Sequence, residues 1–299
     1  MSLHPASELI HVLVDGPRAP DWNMALDEAL LRQRQSGAIA GTWIRLFAWL
    51  PAAISVGRLQ PAAEDLDLAA AARDGIPVVR RATGGKAVFH SREVTYSLVG
   101  GVPDPDWGAN LHETYRRVSA ILVAGLDRLG VPTAFAPRRP SARPQSPGLP
   151  GSRVPSESDE SELQAACFAV AYGHELVAGG RKICGSAQRR LTRAFLQHGS
   201  LLLGPEQAAL ARYLRFPGDR ALLAARLQAD TTDVSSAAGR PVTQEELSGA
   251  ILRGLEERFG IRLVQAPLPP AVREEAEHLR SQVRIAGFQA AVDSSTDAG

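Results

Sequence analysis

The sequence predicts an α+β protein, and three observations carry that expectation. Short apolar, β-type runs punctuated by glycine cluster in residues 42–99 and return in 174–203. Amphipathic helical periodicity with capping residues occupies 23–35, 110–130 and most of the chain beyond 205. The 299 residues are 44% apolar and 22% charged, enough to bury a full core. A single catalytic domain over residues 1–280 is expected, with a tail over 281–299 whose last residues, from about 293, fray.

The first helix is read over residues 23–35, because Trp22, Leu26, Ala29 and Leu30 recur at helical spacing and Gly37 follows as a stop. Strand-like runs then occupy 42–47, 54–56, 78–79, 87–89 and 94–99. A second helix opens at Asn110 with Glu113 three residues on, a capping box. Leu111, Tyr115, Val118, Leu122 and Leu126 form its apolar face, and Gly130 ends it. Residues 137–162 break the pattern with six prolines among serine, arginine and acidic residues. The segment is too polar to offset its own ordering entropy, so it reads as a mobile insertion, either neutral or a lid. Runs at 174–177 and 181–183 around Gly179-Gly180 predict a hairpin, and 194–203 another strand. Helices are expected at 205–214, 222–227 and 245–259. The last has Thr243 and Glu246 as its capping box and Gly260 after it.

Composition excludes several classes. With 33 basic and 32 acidic residues the net charge is +1, without the basic excess of a dedicated nucleic-acid binder. No apolar run is long enough to span a bilayer, and the N-terminus has no signal-peptide pattern, so no membrane partner is expected. Cys167 and Cys184 are the only cysteines, which gives no disulfide framework and points to a reducing cytoplasm. There is no metal-ligand spacing, no phosphate-binding loop and no dinucleotide fingerprint, so neither metal nor cofactor is expected.

Two blocks remain for chemistry. In the first, residues 80–90, Thr83-Gly84-Gly85 separates two β-type runs. It reads equally as a tight turn or as a loop that lets a ligand lie on the backbone. Arg80 and Arg81 are open between anion binding and a solvated strand, and His90 between a cap and the core. The second block runs from Cys167 through Lys182, Cys184 and Gly185-Ser186-Ala187 to His198. Cys167 sits among apolar neighbours, so it is either inert packing or a nucleophile. Lys182 is the cation able to favour its thiolate. Cys184, two residues past Lys182 in a strand, reads as packing.

At these residues the chain resembles the cysteine-dependent octanoyl transferase branch of the lipoate–biotin protein ligase superfamily. The resemblance runs from Asn23-Met24-Ala25-Leu26-Asp27-Glu28 through both blocks to Gly199-Ser200. It implies a mixed β-sheet flanked by helices, like the biotin and lipoate ligase catalytic domain. It also implies that Cys167 is the acyl-thioester nucleophile and that Lys182 lowers its pKa. Arg81, Thr83, Gly84, Gly85 and His90 would bind substrate along an acyl tunnel, faced by Gly185, Ser186 and Ala187. Lys86 stands where the ATP-using branch resembles a third glycine, which favours the transferase branch. Gly173-His174-Glu175 departs from the pattern after the cysteine. The implied partners are octanoyl-acyl carrier protein as donor and a lipoyl-domain protein, such as the glycine-cleavage H protein, as acceptor. Arg189, Arg190 and Arg193 form either a docking surface for the acidic carrier or a plain solvated face. The alternatives are an amidotransferase that takes the acyl group from the H protein, an ATP-dependent lipoate ligase, and a catalytically silent binder of lipoyl domains.

Overall fold

The structure, a computed structural model, describes residues 9–104, 106–136 and 175–288. The expected insertion at 137–162 and Cys167 lie outside them, as does the frayed end expected from residue 293. The chain opens with β1 (Leu9–Arg18), a strand absent from the sequence expectation, and continues into α1 (Pro20–Ser36). Pro20 starts that helix, its fixed φ suiting the first turn, and Gly37 ends it at φ 87°. Then come β2 (Thr42–Trp49), β3 (Ala53–Val56), the short helices α2 (Ala62–Asp65) and α3 (Leu68–Arg73), β4 (Val78–Arg80), β5 (Val88–His90) and β6 (Glu93–Gly101). The expected cap forms at α4 (Leu111–Arg128): Asn110 accepts from the Glu113 amide at 3.0 Å, while Glu113 reaches back one residue further than a capping box does and accepts from the Ala109 amide at 3.1 Å.

After β7 (Ala134–Phe135), the strands β8 (Leu176–Ala178) and β9 (Arg181–Arg190) make the expected hairpin. Gly179 and Gly180 turn it at φ 56° and 76°, where a side chain would be strained. β10 (Ala194–Leu202) follows. Residues 206–212 form a 3-10 helix rather than the expected α-helix. The reason lies far along the chain: Tyr213 gives its carbonyl to the Asp67 amide and Leu214 bridges Leu66, which draws the chain off the helical path. The chain ends in α5 (Arg220–Asp230), α6 (Val234–Ala238), α7 (Gln244–Phe259), β11 (Arg262–Gln265), α8 (Pro270–Val283) and β12 (Arg284–Ala286). The boundary expected at residue 280 therefore falls inside a helix. Residues 284–286 are a strand paired with β4, not a tail.

Eight strands form a mixed sheet in the order β11-β1-β2-β6-β10-β9-β8-β7. β1 runs parallel to both neighbours and the rest are antiparallel. On one face, Ile44, Tyr96, Leu98, Ile121, Leu122, Leu247 and Ile251 join the sheet to α4 and α7. On the other, Met24, Leu26, Leu30, Val99, Leu196, Val272 and Leu279 join it to α1 and α8. A four-stranded sheet, β12-β4-β3-β5, packs with the 206–212 segment and α5 around Ile54, Val78, Phe89, Leu210 and Leu223. The fold is thus α+β with mixed sheets flanked by helices. No described helix is long and apolar enough to cross a membrane.

Candidate active site

Where the two sheets meet, a half-open cleft is lined by residues from α1, β2, β3, β5, β6, β9 and β10. Arg81, His90, Gly185, Ser186 and Ala187, named from the sequence, all line it, and His198 and Gly199 complete one wall. Most of these residues are polar, yet the surface they present is almost wholly carbon. The polar atoms turn outward, into two hydrogen-bond networks.

The first network surrounds His90. Its Nδ1 lies 2.8 Å from Glu93 Oε1 and its Nε2 2.7 Å from Ser55 Oγ. Glu93 Oε1 also accepts from Thr95 at 2.6 Å and Ser200 at 2.7 Å, and Trp49 Nε1 donates to Thr95 at 2.7 Å. The Trp49 indole stacks on the imidazole, centroids 3.9 Å apart. The second network surrounds His198, whose Nδ1 lies 2.9 Å from Asp27 Oδ2 and Nε2 2.6 Å from Thr83 Oγ1. Burial pushes the His198 pKa down, and that cost outweighs the carboxylate's pull. The neutral ring then donates from Nδ1 to Asp27 and accepts from Thr83. Asp27 is further held by Ser97 at 2.8 Å and Arg45 at 3.1 Å. Arg45 is itself fully buried and bonded to Asp15 and Asn23.

Arg80 and Arg81 serve the backbone. Arg80 donates to the carbonyls of Gly57, Arg58 and Gln60, while Arg81 donates to those of Ser55, Gly84 and Lys86. These bonds shape the Thr83-Gly84-Gly85 turn. A Cβ at Gly57 would sit 2.0 Å from the Gly85 carbonyl oxygen, so two backbones touch there and only glycine fits. Gly84 and Gly85 do not themselves line the cleft, and Thr83 stands one layer behind it, against His198.

Lys182, Cys184 and Ser186 alternate on one face of β9. Lys182 is buried and donates to Glu175 Oε1 at 2.6 Å, so Glu175, in the segment that departs from the family pattern, is its ion-pair partner. Lys182 is not among the residues lining the cleft. Cys184 is buried, and burial pushes its thiol up to about 12, so it packs as a neutral thiol. The pairing of Cys167 with Lys182 falls outside the described residues. Sequence reasoning missed Met24, Trp49, Ser55, Thr95 and Ser200 as cleft residues. Of these, Met24, Thr95 and Ser200 lie inside the runs that carry the resemblance, whereas Trp49 and Ser55 carried no signal.

The catalytic-domain family described as lipoyl protein ligase A/B matches residues 19–256. Octanoyltransferase LipM of Kyrpidia tusciae is 37% identical over 273 residues, covering 91% of this chain and 94% of that protein. Octanoyltransferase LipM of Symbiobacterium thermophilum is 36% identical over 272 residues, covering 90% and 93%. Among solved structures, a bipartite lipoate protein ligase of Thermoplasma acidophilum, described with its E2 lipoyl domain, superposes with a TM-score of 0.70. It is 20% identical over 92% of this chain and 93% of its own, a likeness of fold. The match over most of the chain, with an open carbon-walled cleft between its two glycine-bearing blocks, makes this protein a member of the lipoyl protein ligase A/B catalytic-domain family.

Proposed function

We propose that this protein is an octanoyltransferase of lipoate biosynthesis. It moves an octanoyl group from the thioester of acyl carrier protein, through Cys167, to a lysine of a lipoyl domain such as that of the glycine-cleavage H protein. The observation that carries the reading is the cleft itself. Its wall of carbon is built from polar residues whose heteroatoms are all engaged behind it, which suits a saturated chain and offers little to a polar one. Each buried methylene gains roughly 0.8 kcal/mol, so a tunnel of fixed depth selects chain length. The relatives named octanoyltransferase cover nearly the whole chain and support the same substrate.

In the first half-reaction the Cys167 thiolate attacks the thioester carbonyl, and the carrier thiolate leaves and takes up a proton. In the second, the neutral amine of the acceptor lysine attacks the Cys167 thioester. The C–S bond breaks, the thiolate is regenerated and the amine's proton is released. Thioester exchange is nearly neutral in energy and amide formation drives the sequence forward, so no nucleotide is needed. Lys182, as an ammonium, stabilises first the thiolate and then the developing oxyanion. Glu175 Oε1, 2.6 Å from its Nζ, holds that lysine in place. Incubation with octanoyl-carrier protein and a lipoyl domain, without ATP, tests this: the acceptor should gain one octanoyl mass. A strict requirement for ATP and free acid, with pyrophosphate release, would move the protein to the ligase branch instead.

A further inference from the structure

We infer that the rim of the cleft around the exposed Gly84-Gly85 turn is the docking surface for an acidic carrier domain that delivers the acyl thioester, with Arg58, Lys86 and Arg189 as its cations. This rests on the transferase reading above and names the surface that serves it.

The geometry converges from three elements. Arg58 is exposed, and its amide bonds the Thr83 carbonyl at 2.8 Å, which seats it against the turn. Lys86 closes the turn, its carbonyl held by Arg81, a residue that also lines the cleft. Arg189 follows the cleft residue Ala187 by two positions on β9, hence on the same face, and reaches the Ala82 carbonyl at 3.4 Å. These three cations therefore fringe one opening. Among the described residues, none of them has a carboxylate within ion-pair distance. The carboxylate acting on Arg189, Glu28, is bonded to Arg32 at 2.6 Å. Burial first, and then the charge of Arg58, lowers the Arg189 pKa, and the pull of Glu28 does not offset them.

Like charges left facing each other at a cleft mouth cost stability in the free protein and are relieved by an anionic partner. Leu59, beside Arg58, is 80% exposed and supplies an apolar contact within the charged ring. A small anion would want cations converging on a point. Here they are spread over a loop, a turn and a strand, which fits a macromolecular surface. The overall charge of +1 makes the patch local, unlike the extended basic stripe that nucleic acid requires. The other two arginines of the expected surface divide. Arg190 spends its guanidinium on Thr114 and the carbonyls of Gly108 and Ala109, while Arg193 is exposed beyond the end of β9.

The test compares two donors: octanoyl-acyl carrier protein, which is acidic, and the uncharged octanoyl N-acetylcysteamine thioester. Arg58→Glu alone loses no side-chain bond among the described residues, and Arg58→Glu with Arg189→Glu reverses the pair. The KM for the carrier donor should rise by about tenfold in the double variant, with kcat unchanged and a flatter dependence on salt. Turnover of the small thioester should stay within about twofold. An unchanged KM for the carrier overturns the proposal, as does a parallel loss with both donors, which would mean a damaged cleft. A wild-type protein that transfers from neither donor overturns the transferase reading itself, and the docking surface with it.

Discussion

Replacing Gly199 by alanine probes how the cleft is built. Gly199 lies on the interior strand β10, opposite Ser186 on β9 and Tyr96 on β6, and it lines the cleft. A methyl there would stand 2.4 Å from the Gly185 carbonyl oxygen, 2.6 Å from Ser186 Oγ and 2.9 Å from Tyr96 Cε1, where ordinary contact begins at 3.4 Å. Ser186 Oγ can rotate, at the loss of the 2.7 Å bond from the Tyr96 hydroxyl. The Gly185 oxygen is backbone and cannot turn aside, so β9 must retreat by about 1 Å. Overpacking of this kind costs about 1–3 kcal/mol, which a domain of ordinary stability survives. A displacement of that size in a substrate-positioning wall costs about 100-fold in kcat/KM, near 2.7 kcal/mol of barrier. The assay is octanoyl transfer by protein whose urea midpoint has been measured. Gly179→Ala serves as the control: its φ of 56° strains any side chain, but it faces open space in the hairpin turn. It should lose about 1 kcal/mol with activity intact. Wild-type kcat/KM and an unchanged midpoint in Gly199→Ala would refute the idea that backbone contact between β9 and β10 shapes the wall.

Cys184→Ala should retain full transfer with a modest loss of stability, about 1 kcal/mol for a small buried group. Peptide mapping after iodoacetamide treatment of the native protein near pH 7.5 should find Cys184 unlabelled, since its thiol is pushed up to about 12; labelling there would contradict that burial. Asp21 is buried beneath α8. Burial raises its pKa, but the bonds from Arg284 at 2.6 Å and Arg280 at 3.1 Å outweigh that and hold it below the ordinary 3.8. Its folded value being depressed, the unfolded chain takes up the proton first as pH falls. The contribution is therefore whole above the unfolded value and lost as pH drops through the folded one. Urea midpoints from pH 6 to pH 3 should fall more steeply for wild type than for Asp21→Asn; parallel curves would exclude Asp21 as a contributor.

Local signals were the legible ones. The N-caps at Asn110 and Thr243, the Gly179-Gly180 hairpin and the stop at Gly37 each depend on neighbours within a few residues, and each stands where the sequence places it. What stayed hidden depends on partners far along the chain. β1 carries Asp15, Gly16 and Pro17, which interrupt any alternation, and it is a strand because β2 and the distant β11 flank it in parallel. Likewise β12 exists only against β4. The site divides in the same way. Glycine-bearing blocks were visible as motifs, but His198 meets Asp27 across 171 positions, and Thr83 meets His198 across 115. No periodicity reports such pairings. Arg80 and Arg81 could be read as anion ligands because a guanidinium looks the same in sequence whether it faces a phosphate or three carbonyl oxygens.

The most direct measurement is the intact mass of the protein after brief exposure to octanoyl-acyl carrier protein with no acceptor present. The account predicts a single octanoyl adduct on wild type, mapped by peptide analysis to Cys167, discharged by added lipoyl domain and lost in Cys167→Ala. An adduct that persists in Cys167→Ala, or transfer that proceeds at the wild-type rate without that thiol, would contradict it.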